Sequence, residues 1–109
     1  MKLAYNKGIR LLEEFRKLDS EMPIQMAATF LMVANEEGIT MKNLGNRLGI
    51  SQSSCSRNVA ALSRWHRLGN PGHDLLYAIE DPVERRRKIV KLTPKGKRVA
   101  ETVLKILED

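Results

Sequence analysis

The sequence predicts a small, mostly helical α+β domain in which an antiparallel β-ribbon of two or three strands is flanked by N- and C-terminal helices. Three observations carry this. Apolar residues recur at helical spacing over several separate stretches. Two five-residue apolar runs, Leu75–Ile79 and Lys88–Leu92, enclose an Asp81-Pro82 turn. The chain has 109 residues with 42% hydrophobic content, enough for one modest core, so residues 1–109 read as a single domain.

Taken in order, the first helix spans residues 3–18, where Leu11, Leu12, Phe15 and Leu18 recur beside Glu13, Glu14, Arg16 and Lys17. Asp19-Ser20-Glu21 breaks that pattern. Pro23 suits a first helical turn, because its missing N–H has no partner there anyway. A second helix then runs up to Gly38, with Ile24, Ala27, Phe30, Leu31 and Ala34 as a broad apolar face, and is expected to be the most buried. Ile39-Thr40 can add an edge to a small sheet. Thr40 caps a third helix, Met41 to Leu48, which Gly49 ends. Ser51 caps a fourth helix, expected to reach about Leu68 and end at Gly69, with Cys55, Val59 and Leu62 on its inner face. Residues 70–74 form a turn by composition. The two strands follow as a hairpin with a strongly basic tip. Thr93-Pro94 opens a last helix over residues 94–108, with Val99, Val103, Ile106 and Leu107 on one face. The apolar faces of the first and last helices either complete the core or form an isologous dimer interface.

The formal net charge is +6, unevenly placed. Residues 1–38 hold five basic and six acidic groups, while residues 39–100 hold thirteen basic and four acidic. The positive field belongs to the middle of the chain and favours an anionic partner. A merely solvated basic surface has the same composition, so charge alone does not name that partner. The single cysteine, Cys55, excludes an intrachain disulfide and fits a reducing, cytoplasmic setting. No apolar run approaches the ~18 residues that span a bilayer. The N-terminal stretch is broken by charge where a signal peptide needs an apolar core, so no membrane association is expected.

Chemistry-bearing constellations are sparse. No Ser-His-Asp set, carboxylate pair or Gly-rich phosphate loop is recognisable, so neither catalysis nor a cofactor is expected. His66 and His73 have no further ligand at metal-site spacing, and no metal is expected. Cys55 and Trp65 read as core residues.

Two short helices joined at Gly49 suggest a helix-turn-helix, tied together by Leu44, Leu48, Ile50, Cys55, Val59 and Leu62. Its second helix presents Gln52, Ser53, Ser54, Ser56, Arg57 and Asn58 outward. Gln, Asn and Arg hydrogen-bond base edges, and serines reach bases or phosphates without bulk. A helix-turn-helix sets this end of its second helix in the major groove. A plain αα-hairpin with a solvated polar face would look the same so far. The ribbon that follows favours double-stranded DNA. Arg85, Arg86, Arg87 and Lys88 crowd its tip, where four like charges repel unless an anion lies nearby. Such a tip can enter the minor groove. Arg64 and Arg67 lie near the end of this second helix and either contact phosphate, which the surrounding positive field favours, or are simply solvated, with Thr40, Lys42 and Lys95 as flanking backbone contacts.

At these residues the chain resembles a known family. Ser51-Gln-Ser-Ser-Cys-Ser-Arg-Asn-Val-Ala-Ala-Leu62 is similar to the recognition helix of MarR-type winged-helix regulators. Asp81-Pro-Val-Glu-Arg-Arg-Arg-Lys-Ile-Val-Lys-Leu-Thr-Pro-Lys-Gly96 is similar to their wing and the start of the next helix. The resemblance covers roughly residues 24–100. It implies a winged helix-turn-helix and a homodimer on a roughly palindromic operator, acting as a repressor. It also implies Arg85 or Arg86 in the minor groove, oriented by an ion pair with Asp81 or Glu84. The final helix, about four turns long, is shorter than the family's, which weighs against a small-molecule effector. The Trp65–Asp74 connection is longer than usual, which bears on where the wing sits. A replication or recombination accessory protein of a phage or mobile element, or a winged-helix protein-interaction module, would use the same domain.

Overall fold

The computed structural model describes residues 2–64 and 71–108. Five helices and three strands follow in the order α1 (Lys2–Leu18), α2 (Ile24–Asn35), β1 (Ile39–Thr40), α3 (Met41–Leu48), α4 (Gln52–Leu62), β2 (Leu76–Glu80), β3 (Lys88–Leu92) and α5 (Pro94–Glu108). The fold is α+β, mostly helical, with one antiparallel sheet in the order β1-β3-β2. Ile39 pairs with Val90, and the β2–β3 ladder runs from Leu76 opposite Leu92 to Glu80 opposite Lys88. The edge strand expected at Ile39-Thr40 is therefore real, and the wing hairpin begins one residue later than expected.

The core lies where α2, α4 and the inner face of the sheet meet. Phe30, Val33, Leu44, Cys55, Leu62, Leu76 and Val90 are all fully buried there. Phe15 brings α1 onto this core by an edge-on contact with Phe30, their ring centroids 5.9 Å apart. Ile24 departs from the expected apolar face of α2 and is 84% exposed. Six residues at helical pitch set it about 120° round from Phe30, whereas Val33 falls on Phe30's side.

Local chemistry fixes the turn between α3 and α4. The Thr40 hydroxyl accepts from the Asn43 N–H, and the Ser51 hydroxyl accepts from the Ser54 N–H. Between the two helices Gly49 sits in the left-handed region at φ 69°, while the Ile50 N–H donates to the Gly45 carbonyl. Cys55 packs under this turn, and its burial pushes the thiol pKa up.

Helix α4 ends at Leu62, well before the expected Gly69. Its last carbonyls are taken by the returning chain. Leu75 N–H donates to Leu62 O at 2.7 Å, Asp74 N–H to Ser63 O, and Gly72 N–H to Arg64 O. A continued helix would need those same acceptors. The sequence readings of Trp65, His66 and Arg67 lie outside the described residues. His73 is a packing residue here. Its Nε2 lies 3.2 Å from an Asp19 carboxylate oxygen, and its Nδ1 lies 3.0 Å from the Ala61 carbonyl.

The start of α5 is locked onto the entry to β2. The Thr93 hydroxyl donates to Asp74 O at 2.6 Å and accepts from the Gly96 N–H at 2.9 Å. A Cβ on Gly96 would stand 2.0 Å from the Leu75 carbonyl oxygen, so only glycine fits this approach. On α5, Val103 and Ile106 are buried, while Leu107, expected on the same face, is exposed.

Candidate nucleic-acid interface

Three separate parts of the chain meet around one surface hollow of about 640 Å³. Gln52 and Ser56 come from α4, Thr40 and Lys42 from the start of α3, and Arg86, Arg87 and Lys88 from the wing. The polar flank of α4 and the arginine cluster thus face the same way. Asn43 lines this hollow too. Sequence reading passed over it, although its position three residues after the Thr40 cap puts it on the same side of α3. Ser53 and Arg57 stand exposed on the outer ridge of α4, and the Arg57 guanidinium donates to the Ser54 hydroxyl at 3.1 Å. Arg64 lines an adjoining hollow with Ser56, Tyr77 and Lys88, so the basic surface continues along α4 toward β2.

The wing is ordered from its base. One Asp81 carboxylate oxygen accepts from the Val83 N–H at 2.9 Å, and the other pairs with the Arg87 guanidinium at 2.9 Å. The Asp81 N–H donates to Arg87 O and closes the loop. The Val83 N–H, followed by the Glu84 N–H and the Arg87 guanidinium, holds the Asp81 carboxyl below its ordinary pKa, outweighing the opposite pull of desolvation. The ion pair expected for Arg85 or Arg86 therefore belongs to Arg87. Arg87 is drawn into the base of the wing, while Arg85 and Arg86 remain exposed around its tip.

Two further residues sit differently from expectation. The Lys95 ammonium donates to the His73 carbonyl at 3.0 Å, which makes it a tether between α5 and the strand entry instead of a free flanking cation. Asn58 turns from the outer face of α4 toward α2, where its amide nitrogen donates to Gln25 Oε1 at 3.0 Å. Gln52, Ser53, Ser56 and Arg57 of α4 are exposed. No group of three or more His, Cys, Asp or Glu side chains is placed to hold a metal ion among the described residues. No helix among them is long and apolar enough to cross a membrane.

The same arrangement of helices and wing recurs in solved structures. S. aureus MepR in a complex with DNA superposes with a TM-score of 0.68 at 20% identity, over 96% of this chain and 76% of that one. A MarR transcriptional regulator from Methanosarcina mazei gives 0.69 at 20% identity, over 98% and 70%. The Streptomyces coelicolor regulator PcaV, solved with its natural ligand, gives 0.61 at 23% identity, over 93% and 70%. The chain has the MarR-type winged-helix fold. By sequence, no protein-family model and no curated protein matches it. Within the MarR-type fold, α3 and α4 are the helix-turn-helix, and β2, β3 and the loop between them are the wing.

Proposed function

We propose that this chain is a sequence-specific double-stranded DNA-binding transcriptional regulator, acting as a homodimeric repressor on a palindromic operator. The observation that carries the reading is the shared hollow, where Gln52 and Ser56 of α4 meet Arg86 and Lys88 of the wing. On this reading α4 enters the major groove, and Ser53, Gln52, Ser56 and Arg57 reach base edges from it. Ser54 supports Arg57 through its hydroxyl. Arg85 and Arg86 follow the wing into the adjacent minor groove, while Lys42, Arg64 and Lys88 contact phosphates. MepR, which shares the fold, has been crystallised on DNA. PcaV and the Methanosarcina mazei protein, which share the fold, are transcriptional regulators.

A second apolar stripe on α1 supports the dimer. Leu11, Phe15 and Leu18 pack inward, whereas Tyr5, Ile9 and Leu12, at i, i+4 and i+7, remain exposed. Leu104 and Leu107 of α5 are exposed as well, on the side of that helix that lines a hollow with Leu31 and Ala34 of α2. A small protein that shows water this much aligned apolar surface has an association site there.

The test is selection of bound sequences from a random duplex pool. Recovery of one sequence arranged as an inverted repeat is the expected result. Recovery of no preferred sequence would refute the reading.

A further inference from the structure

We propose that Gln25, on α2, is a phosphate-contact residue that flanks the recognition helix on the side opposite the wing. The inference rests on the DNA-binding reading above and follows from counting hydrogens. Thr29 is fully buried, and its hydroxyl donates its one proton to the Gln25 backbone carbonyl at 2.8 Å. Toward Asn58 the Thr29 oxygen can therefore only accept. It lies 3.4 Å from Asn58 Nδ2, so the Asn58 NH₂ group must face inward. That NH₂ group also meets the Gln25 side chain at 3.0 Å, so Gln25 must present its Oε1 there. The orientation of both amides is thereby fixed. The Gln25 Nε2 group is left directed away from Asn58, with two N–H donors that no described residue accepts, on an exposed side chain.

Placement gives that donor its role. On α4, Gln52 and Ser56 lie on the flank facing the wing hollow, Ser53 and Arg57 lie on the ridge, and Asn58 lies on the flank facing α2. A duplex seated on the ridge meets the wing on one side and Gln25 on the other. The outward NH₂ group, neutral and able only to donate, matches at the lip of a major groove a phosphate oxygen, which only accepts.

Two substitutions separate contact from mere support of Asn58. Gln25→Glu keeps an oxygen for Asn58, suits the first turn of a helix, and replaces the outward NH₂ with a negative charge. It is expected to weaken binding about tenfold, alike on the selected duplex and on random duplexes. Gln25→Lys is expected to steepen the dependence of log affinity on log salt by about 0.9, the increment for one added phosphate contact. Wild-type-like binding by Gln25→Glu, or an unchanged salt slope for Gln25→Lys, would overturn the proposal. Failure of the unmodified protein to bind any duplex at low salt would instead remove the DNA reading itself.

Discussion

Two residues show how differently single side chains serve this molecule. Arg57 stands on the exposed ridge of α4, with one hydrogen bond to Ser54 and the rest of its donors free to point outward. If it reads guanine, Arg57→Ala costs ~1–3 kcal/mol on the selected duplex and relaxes the preference at one base pair. Titration of duplexes varied at that position checks this, and equal weakening on specific and random DNA would deny Arg57 a base-reading role. Gly96 has the opposite character. Nothing about it touches a ligand, yet any Cβ collides with the Leu75 backbone. Gly96→Ala is expected to lower stability by ~1–3 kcal/mol, because α5 must shift off the strand entry. The urea midpoint measures the effect, and an unaltered midpoint would mean the approach is looser than it looks.

At the scale of elements, one carboxylate adds side-chain bonds to the backbone bonds that close the wing loop. Asp81 receives the Val83 N–H and the Arg87 guanidinium, and its folded pKa lies below its unfolded one. The bonds it makes are complete above the ordinary carboxylate range and are lost as pH falls through the depressed folded value. The Val83 amide resonance is expected to move toward its Asp81→Asn position over that acid window and to stay still at neutral pH. A shift centred near neutrality would contradict the assignment.

Helices and strands were legible in the sequence to the extent that their ends are local. Thr40, Gly49 and Ser51 announce α3 and α4 because capping uses neighbours within a few residues. The end of α4 was not legible, because Leu62 and Ser63 give up their carbonyls to Leu75 and Asp74, which arrive from a dozen residues away. The same limit applies within the site. The basic tip and the polar face of α4 could be read from composition and periodicity. The inward turn of Asn58, the tethering of Lys95 and the choice of Arg87 for the Asp81 ion pair each depend on a long-range partner or on loop geometry.

For the whole molecule, the two ends of the chain and its middle do separate work. The middle carries the positive field and the hollow shared by α3, α4 and the wing. The ends carry the exposed stripe of Tyr5, Ile9 and Leu12 on α1 and, separately, the exposed Leu104 and Leu107 on α5. An aspartate at Ile9 places a charge in that stripe without touching the packed residues Leu11 and Phe15. Ile9→Asp is expected to convert a dimer into a folded monomer and to weaken operator binding by more than tenfold, since paired half-sites are no longer bound together. Sedimentation at micromolar concentration reads this directly; an Ile9→Asp protein that stays dimeric would place the self-association site elsewhere, and a wild-type protein already monomeric there would refute the homodimer.

The account depends most on α4 and the wing touching one duplex together. Hydroxyl-radical footprinting of the selected duplex, with the unmodified protein and with Arg85 and Arg86 both changed to Ala, tests this. The expected pattern is protection of each half-site and of the minor groove beside it, with only the minor-groove protection lost in the double variant. Identical footprints from the two proteins would contradict it.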